Sequence, residues 1–249
     1  MDFKKLLRRN ETALIIAIVV LSAVIGFKSP EFFTLANLFD IFRSSFVQLL
    51  FALGVLIVII SGGIDVSFPV VGIFSGYAAV VLMQKFEWNP SNILLPVVLA
   101  IIIGIILGAL NSIAIASFGI PTLIATLGTS GIFRGILLTF VGSSFISDIP
   151  TALDNFATAD LLKIQPAEGT LARLHVLIIP ITIITILVSL LLTRTMFGRS
   201  VYALGGGVEA TRRLGISIKR TQAKIYMLVG GISGLAGILY VSLQRKANP

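Results

Sequence analysis

The chain reads as long apolar runs separated by short polar stretches, and the lengths of those runs are its most informative feature. A helix needs roughly 20 mostly apolar residues to cross the hydrocarbon core of a bilayer. About seven segments approach or reach that length: residues 12–27, 41–60, 66–84, 93–118, 123–141, 174–192 and 225–243. They predict an all-α fold, a polytopic transmembrane helix bundle forming one membrane domain over residues 1–249. No internal repeat of the kind that builds solenoids is visible.

Composition agrees with this pattern. Of 249 residues, 56% are hydrophobic and only 12% charged, about half the charge of an ordinary soluble domain. The formal net charge is +8. In a soluble protein that excess would raise the question of nucleic acid, but no basic patch with interleaved aromatics is present. The basic residues instead cluster between apolar runs, where they orient a chain in lipid. Lys4, Lys5, Arg8 and Arg9 precede the first run, which lacks a small-x-small cleavage site and reads as a retained helix. With that end in the cytoplasm, Arg194, Arg199, Arg212, Arg213, Lys219, Arg220 and Lys224 also fall inside, against the single acid Glu209. Asp148, Asp154, Asp160 and Glu168 fall outside, against Lys163 and Arg173. This is the positive-inside asymmetry, and it orients the chain in a membrane with its N-terminus on the cytoplasmic side. Arg245 and Lys246 fall on the outer side, against the rule. The chain stops at Pro249, just past the seventh run, which reads as a domain incomplete at its C-terminal end.

The chemistry available is limited. There is no cysteine, and His175 is the only histidine, so the chain offers no thiolate or histidine cluster for a metal. No phosphate-binding loop and no nucleophile elbow occurs. The expectation is a protein that is not an enzyme, with no catalytic residue, no metal and no cofactor of its own. Transport driven by ATP would need a separate ATPase chain.

Three segments carry more information than their surroundings. In Ser61-Gly-Gly-Ile-Asp-Val-Ser67, paired glycines end one helix, and Asp65 or Ser67 can cap the next. Pro69 suits the first turn of that helix. A tight, well-capped turn accounts for these residues, and so does a broken helix beside a transport path. In the second segment, Gly119-Ile-Pro121 ends the fourth run, and the fifth presents Thr126, Gly128, Thr129, Ser130, Gly131 and Gly135. Small residues allow close helix approach. Arg134 lies 11 residues past Leu123, about 17 Å along a helix, where an arginine either snorkels outward or lines a cavity. Gln48 and Asn111 are polar residues inside apolar runs that bridge helices or line a path. The third segment, Gly198 to Ile216, holds Gly205-Gly-Gly207 and then a short predicted helix over 208–214 that Gly215 stops. Ala210 and Leu214 share one face of it, and Glu209 can pair with Arg212 or Arg213. A solvated loop would explain the charge but not a helix bounded by glycines, which fits a docking element for a partner.

In this order and spacing, GGIDVS at 62–67, IPTLIATLGTSGIFRG at 120–135, GRSVYALGGGVEATRRLGI at 198–216 and AGILYVSLQRKANP at 236–249 resemble the permease subunits of bacterial ATP-binding-cassette (ABC) importers. The resemblance is to the ribose/xylose/galactoside class, related to the branched-chain amino-acid permeases. It covers nearly all of the chain after the first few residues, and it implies a type II ABC importer-like fold with more spans than are present here. It also implies partners: a second permease subunit (the same chain or a different one), a cytoplasmic ABC ATPase dimer holding ATP and Mg, and an extracytoplasmic solute-binding protein, all around a subunit bathed in membrane lipid. Residues 193–224 would be the cytoplasmic coupling loop, with Gly207, Glu209, Ala210, Arg212, Arg213, Leu214 and Gly215 at the ATPase. Gly62, Gly63, Asp65, Ser67, Asn111, Thr126, Thr129 and Arg134 would lie near the translocation path. Two positions depart from the family pattern: Pro69 stands where a small residue is usual, and Gly207 where asparagine is usual. The implied function is uptake of a sugar or sugar-like solute, whose identity the sequence does not give. The alternative is an ion-coupled secondary transporter, for which Asp65 is the one candidate intramembrane carboxylate.

Overall fold

In the computed structural model, the described residues are 10–165 and 170–249. Lys4, Lys5, Arg8, Arg9 and Glu168 lie outside them. Ten helices and one two-stranded hairpin are found among the described residues.

Two compact units are present. The smaller comprises residues up to Ser44 together with 160–176. It contains α1 (Asn10–Lys28), a 3-10 turn at Pro30–Phe33, the start of α2 (Leu35–Ile60), and strands β1 (Asp160–Ile164) and β2 (Ala172–His175). The side chain of Thr34 reaches back to the Glu31 carbonyl at 2.7 Å and accepts from the amide of Asn37, fixing the turn that precedes α2. The antiparallel hairpin pairs Ile164 with Ala172 and Asp160 with His175. An all-helical fold was expected here. Residues 172–175 form a strand, and Leu174 and His175, expected to open a spanning helix, end it instead.

The larger unit takes residues 45–159 and 177–249. Its helices are the remainder of α2, α3 (Phe68–Lys85), α4 (Leu94–Ser112, extended by a π-helical turn at Ile113–Ser117), α5 (Thr122–Ile136, extended likewise at Leu137–Val141) and α6 (Thr151–Ala157). The chain then continues through α7 (Ile178–Arg194), α8 (Met196–Gly206), α9 (Val208–Arg213) and α10 (Ile218–Gln244). Five stretches are long and apolar enough to cross a membrane: α2, α3, α4 with its extension, α5 with its extension, and α10. Helices α7 and α8, bent by 70° at Thr195, would add a sixth as one broken span. The apolar part of α1, Thr12–Lys28, is shorter.

Helix α10 is the centre of the larger unit. Its glycines meet glycines on two neighbours. A Cβ added to Gly230 would strike the carbonyl of Gly104 on α4, one at Gly234 the carbonyl of Ala100, and one at Gly237 the carbonyl of Gly72 on α3. Such backbone approach is the usual substitute for hydrophobic drive between helices in lipid, because close van der Waals contact is what remains to hold them. Leu50, Ile57, Ala79, Met83, Ile225 and Ile238 fill the space around this seam and are fully buried.

The C-terminal end of α10 gives partners to the two cations that run against the positive-inside expectation. Arg245 donates two hydrogen bonds to the Asp154 carboxylate at 2.6 and 3.0 Å. Lys246 sits 5.9 Å from the Phe145 ring centre, and Ile146 pairs with Ala247. Both cations therefore answer groups of the segment between α5 and α7.

Candidate functional site

The Ser61–Ser67 segment leaves α2 through a turn in which the amides of Gly62 and Gly63 bond the carbonyls of Ile59 and Val58. Gly62 holds φ +80°, a left-handed conformation that a side chain would strain. Asp65 then caps α3 from three residues before its first residue: its Oδ1 accepts from the Ser67 amide and the Ser67 hydroxyl, both at 2.7 Å. Ser67 stands at the N-cap position but makes no capping bond of its own. Its Oγ instead accepts from Asn111 Nδ2 at 2.7 Å. Asp65, Ser67 and Asn111 are all buried. Burial pushes the Asp65 carboxyl above its ordinary range, while the bonds from Ser67 act the other way.

Helix α5 grips the same segment from another side. Thr122 Oγ1 accepts from the Ile64 amide at 3.0 Å, and Thr126 Oγ1 accepts from the Val66 amide at 3.3 Å. A partly buried segment of irregular backbone needs partners for its amides, and these two threonines supply them for Ile64 and Val66. Tyr226 of α10 also closes on the loop: a Cβ at Gly63 would lie 3.2 Å from its hydroxyl. The Asn111 Oδ1 has no hydrogen-bond partner among the described residues.

The structure thus gathers Gly63, Asp65, Ser67, Asn111 and Thr126 into one buried node, with Gly62 exposed at its edge. Thr129 and Arg134 stay apart from it. Thr129 bonds only the Thr126 carbonyl of its own helix. Arg134, twelve residues past Thr122 and so about 18 Å along the helix, is exposed. It makes none of the three ion pairs found among the described residues. It shares the open side of α5 with Gly128, Gly131 and Gly135, where an added Cβ would meet nothing within 4 Å.

Residues 193–224, expected as a loop, are largely helical. Thr195 caps α8 by accepting from the Gly198 amide at 3.1 Å, and Ser217 caps α10 at 3.5 Å from the Arg220 amide. Lys219, Arg220 and Lys224 therefore lie in the first turns of α10. Between them, α9 is bounded by Gly207 at φ +141° and Gly215 at φ +73°. Thr211 pins it to α8 by donating to the Ala203 carbonyl at 2.7 Å. The other side of α9 faces outward: Glu209 pairs with Arg212 at 3.3 Å, and Ala210, Arg213 and Leu214 are exposed, Leu214 at 69%.

These two regions touch. A Cβ at Gly205, near the end of α8, would collide with the Ile60 carbonyl, and one at Gly62 would lie 3.5 Å from Gly205 Cα. The outward-facing helix α9 is therefore two residues of chain away from a backbone contact with the buried node. Thr122, Gly205, Thr211 and Tyr226 were not picked out from sequence. Each acts through a contact between segments distant in the chain, which no local pattern announces.

The sequence profile of one family, described as the permease component of branched-chain amino acid transport systems, matches residues 37–249. Among curated proteins, the chain is 31% identical over 239 residues to an autoinducer 2 import system permease protein LsrC of Enterobacter sp. (strain 638), covering 96% of this chain and 66% of that one. It is 33% identical over 236 residues to the protein of the same name in Salmonella typhi, covering 94% and 63%. Against that of Klebsiella pneumoniae subsp. pneumoniae it is 31% identical, covering 96% and 65%. The chain thus spans just under two thirds of the length of these relatives. No solved structure gives a significant match.

Proposed function

The chain belongs to the family of permease components of branched-chain amino acid transport systems, and on that premise we propose that it is the membrane-spanning subunit of an ABC importer for a small sugar-like solute. The solute class is the one that the sequence resemblance implies, and the relatives' names describe import of autoinducer 2. The site is a bacterial cytoplasmic membrane, crossed by seven spans with the N-terminus inside. The working assembly pairs this chain with a second permease subunit and two ATPases, and receives solute from an extracytoplasmic binding protein. ATP and Mg belong to the ATPases.

One observation carries the reading. A short helix, α9, turns exposed Leu214 and the Glu209–Arg212 pair outward between two left-handed glycines, while the helix before it abuts the buried Ser61–Ser67 segment at Gly205. That is the arrangement needed for work done outside the membrane to reach its interior. ATP binding closes the ATPases, α9 moves with them, and α8 carries the displacement through the Gly205 contact to the segment held by Asn111, Thr122 and Thr126. Because Thr122 and Thr126 belong to α5, the open face bearing Gly131 and Arg134 is displaced with it. A face that carries an exposed arginine is poorly suited to lipid and suits a watery path or a second subunit. Transport is then a population shift between two packings, biased by nucleotide.

The test is the Glu209→Ala, Leu214→Ala double variant, expressed with the ATPase, binding protein and second permease encoded beside it. ATP hydrolysis persists and solute uptake falls at least tenfold. Normal uptake by the double variant overturns the coupling assignment. Uptake driven by an ion gradient with no ATPase present overturns the importer reading and makes Asp65 the residue to pursue.

A further inference from the structure

Only two non-glycine residues among the described ones hold positive φ, Arg245 and Glu87, both at 53°. Each ends a helix in the same way. Lys246 and Arg245 bond the carbonyls of Val241 and Ser242, and Trp88 and Glu87 bond those of Met83 and Gln84. This is the Schellman arrangement, whose left-handed position is normally glycine. At Arg245 the side chain so placed reaches Asp154. At Glu87 the carboxylate has no ion pair and no hydrogen bond among the described residues.

Glu87 instead lines a cavity of about 440 Å³ with Trp88, Asn89, Gln84, Asp148 and Thr151. The two sides are tied together. Gln84 donates to the Asp148 carbonyl at 2.7 Å, and Asn89 Oδ1 accepts from the Thr151 amide and hydroxyl at 3.0 and 2.8 Å. These bonds hold the wall while leaving the Asp148 carboxylate, like that of Glu87, without a partner among the described residues. Among the described residues, no lysine or arginine lines the cavity. Trp88 stacks on Phe86 at 5.1 Å, which fixes its plane, and remains 46% exposed. The cavity therefore offers two unpaired carboxylates and a stacked, part-exposed indole at the end of α3 opposite the Ser61–Ser67 segment.

We propose that this cavity is the socket for an arginine or lysine side chain of the extracytoplasmic solute-binding protein. The proposal rests on the importer reading above, which puts this end of α3 outside the cell. A guanidinium can lie over an indole face while donating to flanking carboxylates, and arginine and tryptophan dominate the energetics of protein interfaces. Complementary charge at a docking rim acts chiefly on the encounter rate and falls with added salt.

The experiment measures binding of the neighbouring-gene solute-binding protein to the complete transporter in lipid nanodiscs at low and high salt. Glu87→Gln with Asp148→Asn, which preserves shape, weakens binding about tenfold at low salt and flattens the salt dependence. Trp88→Phe weakens it less. Glu31→Gln, a control at another exposed acid, changes nothing. Binding by the Glu87/Asp148 variant equal to wild type at both salt levels overturns the socket and leaves the importer intact. A wild-type transporter that binds no such protein at either salt level overturns both.

Discussion

Helices α10 and α5 are both rich in small residues and both run through the larger unit, yet they use those residues in opposite ways. In the central apolar stretch of α10, 78% of residues are buried, against 22% in α5. Gly230, Gly234 and Gly237 press backbone against backbone, while Gly128, Gly131 and Gly135 face open space. The same composition makes a fixed seam in one helix and an unfilled face in the other. At Thr122 and Thr126, α5 grips the irregular Ser61–Ser67 segment, and further along Phe133 and Leu137 are buried in the core. The molecule thus pairs a closely packed axis with a helix that is held on one side and open on the other.

The sharpest way to break this contrast is to add side chains to both helices. Gly104→Ala and Gly237→Ala force a Cβ onto backbone that has no side chain to move aside, and each costs about 1–3 kcal/mol of packing. Gly131→Ala on α5 leaves the thermal stability of the purified protein unchanged. Equal melting temperatures for the three variants would erase the distinction. The absence of cysteine from the chain allows a finer probe on the same positions. Gly131→Cys reacts with a water-soluble thiol reagent in the assembled transporter, and Gly230→Cys does not.

The smallest expected effect lies at the C-terminal end of α10, where Arg245 is tied to Asp154. The hydrogen bonds from Arg245 hold the Asp154 carboxyl below its ordinary value. A carboxyl depressed on folding contributes stability above its unfolded pKa, about 3.9, and that contribution disappears as pH falls through the lower folded value. The tie therefore holds throughout the neutral range and opens only below about pH 4. In Asp154→Asn the acid-dependent step, followed by hydrogen exchange at Arg245–Ala247, is absent. An unchanged step in that variant would assign it to another group.

Much of this was legible in sequence. Apolar run length located α3, α4 and α5 with their extensions to within about two residues, and α2 and α10 at their C-terminal ends only, because a bilayer imposes a length that few other constraints imitate. Glycine placement located both ends of α9, since positive φ falls to glycine. Asp65 was recognised as a cap, although Ser67 was the other candidate and serves Asn111 instead. The hairpin at 160–175 was not legible. Its four- and five-residue strands depend on each other for pairing, and the apolar run that follows masks the second. The 218–224 turns of α10 were read as loop because lysine and arginine dominate them, although Ser217 supplies the cap that starts a helix there. The contact at Gly205 depends on two chain segments about 145 residues apart meeting backbone to backbone, and a run of three glycines does not reveal which of them is in contact.

The most direct test of the account is Gly205→Ala, assayed for ATP hydrolysis and solute uptake in the same proteoliposomes. The added methyl collides with the Ile60 carbonyl and separates α8 from the Ser61–Ser67 segment without touching the outward face of α9. The account predicts an assembled transporter that still hydrolyses ATP but imports solute at a small fraction of the wild-type rate. Uptake at the wild-type rate, with hydrolysis unchanged, would contradict the route from α9 through Gly205 to the buried node.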